Sequence, residues 1–293
     1  MTKIVEFLLW DNCNNHCKFC FLKNKNKLNS FIEDDEKARA IQCANTYLNG
    51  DRFIHGSDIL LCGGELFDNK FNHNTHSEWY SFVDAIVEKV KIGTIGSVYV
   101  NTNLIYDINT ELTGFLNKFF NAGILNKLNF TTSYDIVGRF KNKQDRQLFF
   151  NKIEELHRLY PALSIVVNII MTSAVCDLIL DGQFSISEFQ NKHGVFVNLI
   201  PYIILTEDIA PSKEDVMNTL KYVGGDIPGY LDTYVKRFSI DHPRVLLKYY
   251  NGCLNEVTTE NNTCGHSVNF SKYTKDGSCF ICDILKLASG SML

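Results

Sequence analysis

The stretch IVEFLLWDNCNNHCKFC, residues 4–20, carries an apolar run straight into three cysteines. Ile4–Leu9 has the apolar, partly β-branched character of a strand, and the polar Asp11 and Asn12 end it. Cys13, Cys17 and Cys20 then fall within one short loop. Three readings are open: a metal site, a disulfide framework, or thiols that are neighbours by chance. Asn14 and Asn15 tolerate turn conformations, so the backbone can curl and bring the sulfurs together. His16 lies between two of the cysteines and keeps zinc among the metal readings.

Bulk properties narrow the choice. Hydrophobic residues make up 45% of the 293-residue chain and charged residues 21%, ordinary values for a globular protein with a sizeable core. The formal charge of −4 sets up no strong field toward nucleic acid or a membrane surface. The one basic stretch, Lys18 to Lys27 interleaved with Asn, reads as a solvated loop. The apolar run Ile4–Trp10 lacks a small-residue cleavage site, so no secretory signal is expected. No stretch approaches the roughly 18 apolar residues of a membrane span. The expected location is cytoplasmic, where ten cysteines argue for metal chemistry over disulfides.

Beyond the cysteine loop, short β-rich runs alternate with helical patterns. Helices are expected over Asp34–Leu48, around Trp79–Val90, over Thr110–Asn121 and Gln144–Leu159, and near Ser185–Lys192. Strands are expected at Ile59–Cys62, Ser97–Tyr106, Leu128–Ser133, Ser164–Met171 and Val195–Ile200. Six such units argue for an α/β fold: a partial (β/α)6 TIM-type barrel whose chemistry sits at the C-terminal ends of its strands. After Tyr202 the texture changes, with four of the five prolines between Pro201 and Pro243. Ser212 and Asp215 read as a capping box. The expected organisation is residues 1–202 as the barrel, 203–250 as a connector with helices, and 251–293 as a small cysteine-rich metal-binding extension.

Cys13-x3-Cys17-x2-Cys20 after a first strand resembles the signature of radical S-adenosylmethionine (radical SAM) enzymes, and Phe19 matches the aromatic residue that usually precedes the third cysteine. The resemblance implies a 4Fe–4S cluster held by three thiolates, with one iron left for SAM. Gly63-Gly64-Glu65, directly after the second strand, is similar to the family segment that holds the methionine amino group. Leu66 stands where relatives often carry Pro. Ser133 and Asp135, at the end of the fourth strand, match a Ser-x-Asp step that contacts the ribose or the methionine carboxylate. Arg139 or Arg146 is a candidate partner for that carboxylate. Asn168, polar within an apolar strand, is a candidate for the SAM ribose or for a neighbouring backbone group. The resemblance covers about residues 3–202 and implies reductive cleavage of SAM to a 5′-deoxyadenosyl radical, with electrons from a flavodoxin- or ferredoxin-type donor.

Cys253, Cys264, Cys279 and Cys282 are spaced x10, x14 and x2. Spacing alone permits a zinc staple. The segment from Cys264 to Cys282 resembles the opening half of the twitch/SPASM extension, which implies a second, auxiliary 4Fe–4S cluster; the eleven residues beyond Cys282 suit one cluster and not two. Cys43, Cys62 and Cys176 read as small apolar fillers. The expected activity is oxidation or cross-linking of a peptide or protein side chain. Alternatives are modification of a small molecule or nucleoside and, from another class, a zinc-stapled binding protein with a degenerate barrel. No catalytic acid or base is assigned.

Overall fold

The computed structural model describes residues 3–10, 12–15, 17, 34–67, 73–135, 138–140, 142–201, 211–227, 229–230, 244–250 and 252–257. Strands and helices alternate: β1 (Ile4–Leu8), α1 (Asp34–Asn49), β2 (Ser57–Cys62), α2 (His73–Lys91), β3 (Ile95–Asn101), α3 (Thr110–Asn121), β4 (Leu128–Tyr134), α4 (Lys143–Leu159) and β5 (Ser164–Met171). There follow α5 (Ser173–Leu180), α6 (Ile186–His193), β6 (Phe196–Pro201), α7 (Lys213–Asp226), β7 (Arg244–Tyr250) and β8 (Cys253–Val257). The strands form one sheet in the order β6-β5-β4-β3-β2-β1-β7-β8. All pairs from β6 across to β7 are parallel, and β8 closes the edge antiparallel to β7. The chain is thus α/β with a parallel sheet. Among the described residues no helix is long and apolar enough to cross a membrane.

Side chains alternate along each strand, and the sheet uses this to separate a dry face from a polar one. Val5, Phe7, Ile59, Leu61, Val98, Val100, Phe130, Val167, Ile169 and Leu199 are fully buried. The helices meet that face with aromatic rings. Phe7 packs edge-on to Phe82 of α2, Phe130 stacks on Phe115 of α3, and Tyr134 lies against Phe149 of α4 and Phe189 of α6. Each such large apolar side chain contributes roughly 1.5–3 kcal/mol of burial. The intervening residues Glu6, Leu60, Tyr99, Asn129, Ser133, Asn168 and Asn198 are only half-buried, and Asn101 is exposed. The strands are therefore not apolar on both faces.

Helix starts follow from local chemistry. Asn109, Asn142, Thr172 and Ser185 each accept a backbone N–H of the first turn of α3 to α6, and Ser212 with Asp215 forms the expected capping box of α7. Four elements depart from the sequence pattern, one of them α5, a helix that the pattern does not show. The strand expected to reach Tyr106 ends at Asn101. The stretch expected as a connector supplies β7, bonded to β1, and Cys253 opens β8 of the same sheet. These two additions extend the six expected strands to eight.

Candidate metal and cofactor site

The loops that follow β1, β2, β3 and β4 meet at the C-terminal end of the sheet, and backbone pairing binds the first two together. Past the end of the β1–β2 ladder, Leu9 N donates to Cys62 O (3.3 Å), Gly64 N to Trp10 O (2.8 Å) and Glu65 N to Asn12 O (2.7 Å). Trp10 adds its indole N–H to Glu65 O at 3.0 Å. This approach requires glycine. A Cβ on Gly63, whose φ is 147°, would lie 2.2 Å from Trp10 O, and one on Gly64 would lie 1.6 Å from Asn12 O.

Glu65 is fully buried, and its carboxylate ties the loop after β2 to the loop after β3. It accepts from Leu66 N (3.0 Å), Phe67 N (3.2 Å), Thr102 Oγ1 (2.9 Å) and Asn103 N (2.5 Å). Its side chain thus serves the chain itself, and what the Gly63-Gly64-Glu65 segment presents outward is backbone. The expected strand over residues 97–106 stops because Thr102 and Asn103 turn to this clamp. Asn103 Oδ1 accepts from Ile105 N (2.7 Å), a local bond that competes with a ladder, and Leu104 between them takes a left-handed φ of 57°.

Both described cysteines of the triplet receive amide donors. Asn15 N and Asn103 Nδ2 each lie 3.4 Å from Cys13 Sγ, and Asn15 Nδ2 lies 3.3 Å from Cys17 Sγ. Burial, followed by the field of Glu65, pushes the Cys13 thiol up to about 12, against the two amide donors that pull it down. Left alone, that thiol keeps its proton. Three N–H groups aimed at sulfur suit a thiolate bound to a metal, so the donor set fits an iron–sulfur or zinc centre. Phe19 and Cys20 lie outside the described residues, and among the described residues no group of three or more His, Cys, Asp or Glu side chains gathers to hold a metal.

The β4 loop closes the far side. Arg139 is 4% exposed, and its Nη2 donates to Asn103 O (2.7 Å) and Thr132 Oγ1 (3.2 Å). Burial lowers its pKa, and the sulfurs of Cys17 and Cys13, in their thiolate form, raise it again. Asp135, 1% exposed, accepts from Gly138 N at 2.7 Å. Ser133 sits beside Asn168 in the β4–β5 register, and Asn168 beside Asn198 in β5–β6; Asn198 Nδ2 donates to Asn168 Oδ1 at 3.0 Å. Two buried polar atoms at this end have no partner among the described residues: Asn12 Oδ1, an acceptor next to the glycine segment, and Arg139 Nε, a donor. An amino-acid moiety carries an ammonium, so the Asn12 acceptor fits the amino-acid end of SAM.

The structure therefore brings Cys13, Cys17, Gly63, Gly64, Glu65 and Asp135 to one end of the sheet and sets Ser133 and Asn168 side by side on its polar face. Thr102, Asn103 and Asn198 escape the sequence reading. The polar triplet Asn101-Thr102-Asn103 at the end of a strand was the signal for the first two, and the matching Val-Asn-Ile and Val-Asn-Leu of β5 and β6 the signal for the third. Of the tail cysteines, Cys253 is exposed at the start of β8; Cys264, Cys279 and Cys282 lie outside the described residues. Cys62 donates to Glu6 Oε1 at 3.2 Å and Cys176 is buried. Comparison with protein-family models finds no match, and comparison with curated proteins finds none either.

Proposed function

We propose that the chain is a radical SAM enzyme on a partial-barrel scaffold, with Cys13, Cys17 and Cys20 holding a 4Fe–4S cluster. The observation that carries this reading is the backbone lacing of the cysteine loop to Gly63-Gly64-Glu65, with amide donors on both described sulfurs. When bound, the cluster and SAM supply one-electron cleavage of the sulfonium and a hydrogen-abstracting 5′-deoxyadenosyl radical. The chain's own residues orient and seal. The carbonyls of the glycine segment and Asn12 Oδ1 would take the ammonium, and the row of Ser133, Asn168 and Asn198 offers hydroxyl and amide groups to the ribose. Trp10, Leu66 and Phe67, all buried, exclude water beneath the loops.

The substrate class follows from the tail. Cys253, Cys264, Cys279 and Cys282 would hold an auxiliary 4Fe–4S cluster, and we take oxidation or cross-linking of a peptide side chain as the reaction. Iron and sulfide per chain after anaerobic reconstitution test both parts. About eight irons in the wild type, falling to about four in a Cys13/Cys17/Cys20→Ala variant, support two clusters. About four falling to none, with zinc retained, assign the tail to zinc. Wild-type protein that stays colourless and leaves SAM intact after reduction overturns the reading.

A further inference from the structure

Arg139 is linked to both described cysteines through one intervening residue each. Asn103 accepts the guanidinium on its carbonyl and sends its own Nδ2 to Cys13 Sγ at 3.4 Å. Asn15 donates Nδ2 to the Arg139 carbonyl at 3.3 Å and to Cys17 Sγ at the same distance. The guanidinium is sandwiched by hydrocarbon, with Phe149 and Phe140 at 5.4 and 5.8 Å from ring centroid to Cζ. Among the described residues no carboxylate lies within ion-pair distance of it, although Glu65 and Asp135 stand in range of its field.

A guanidinium removed from water and left without a bonded anion is costly unless negative charge stands close by. One residue away on either side, through Asn103 and Asn15, stand the sulfurs of Cys13 and Cys17, which carry negative charge once they bind a cluster as thiolates. We propose that Arg139 is the countercharge of the cysteine centre, a fixed cation that acts through its field to make the bound cluster easier to reduce. This rests on the cluster assignment above. The physics is direct. Reduction places one more negative charge beside a fixed positive one in a medium of low dielectric, where the attraction is weakly screened. Net charge and hydrogen bonds to sulfur are the protein's main levers on such potentials. Arg139 supplies the first, and the two asparagines that it anchors supply the second. Its burial places it as a positioning and tuning residue that does not itself contact substrate.

The test is a redox titration of the anaerobically reconstituted protein, followed by the electron paramagnetic resonance signal of the reduced cluster, in wild type, R139Q, R139K and T132V. Arg139→Gln keeps a donor and removes the charge. At a fixed reductant poise its ratio of reduced to oxidised cluster should fall about tenfold, which is about 59 mV for one electron. Arg139→Lys keeps the charge and should stay within about threefold of wild type. Thr132→Val removes one hydrogen bond and lowers stability without moving the ratio beyond the same range. Should R139Q fail to hold iron, Arg139→Lys decides: a ratio within about threefold of wild type supports the assignment, and an about tenfold fall in an iron-loaded R139K overturns it. R139Q with wild-type iron content and an unmoved potential overturns this inference and leaves the cluster assignment standing. Wild type that binds no iron removes the assignment itself.

Discussion

Replacing Gly64 by alanine tests the lacing of the two loops directly. The new Cβ would stand 1.6 Å from Asn12 O and 2.2 Å from Asn12 C, both backbone atoms that have no rotamer to retreat into. Reaching even 3.0 Å parts the loops by at least about 1.4 Å. That breaks Glu65 N to Asn12 O and Gly64 N to Trp10 O, both under 2.9 Å. Each buried amide that loses its partner costs about 1–3 kcal/mol, so the variant should lose roughly 2–6 kcal/mol. At about 2.1 cal/mol/K per residue the unfolding entropy of this chain is about 0.6 kcal/mol/K, and the melting midpoint should fall by about 3–10 °C. Gly225 in α7, where an added Cβ would meet nothing within 4 Å, is the matched control. Gly225→Ala should gain about 0.5–1 kcal/mol. The measurements are thermal unfolding by circular dichroism and iron retained after reconstitution. A Gly64→Ala protein that matches wild type in both would refute the claim that the glycine segment and the cysteine loop form one unit.

Two further predictions use single groups. Asn103→Ala removes a donor to Cys13 Sγ, and competition with an iron chelator should show affinity lowered about 10- to 100-fold, as for other outer-shell partners of a metal; unchanged retention would deny Asn103 that role. Burial raises the Cys176 thiol from 9.0 to about 11, so its protonated form stabilises the fold fully below pH 9 and that contribution is lost as pH rises through about 11. The loss is on the order of 2–3 kcal/mol, and urea unfolding of wild type and Cys176→Ala between pH 7 and 11 should converge as pH rises; parallel curves would count against it.

Much of the fold is legible in local pattern because burial on one face imposes a period. Trp79, Phe82, Val83, Ile86 and Val90 announce α2, and all five are buried. What the pattern hides is pairing at a distance. Nothing in Arg244–Tyr250 says that it lies beside β1, at the other end of the sequence, because the hydrogen bonds are made by backbone that every residue carries. The site shows the same division. The cysteines and glycines are visible as residue types at fixed spacings. The role of Glu65 is not, because its Thr102 and Asn103 partners are 37 and 38 positions away. The end of β3 misleads for a related reason: Ile105 and Tyr106 keep strand-like composition, while Asn103 diverts the backbone through its own side chain.

The row of Ser133, Asn168 and Asn198 exists only because β4, β5 and β6 are held in one register. Deleting a single residue inside β5 would rotate Asn168 under the helices and swing Val167 out in its place, since neighbouring positions face opposite ways. Length is therefore far less forgiving than identity in these strands. Natural variation in chain length is expected in the segments that join strands to helices, and swaps of one side chain for another within the strands themselves.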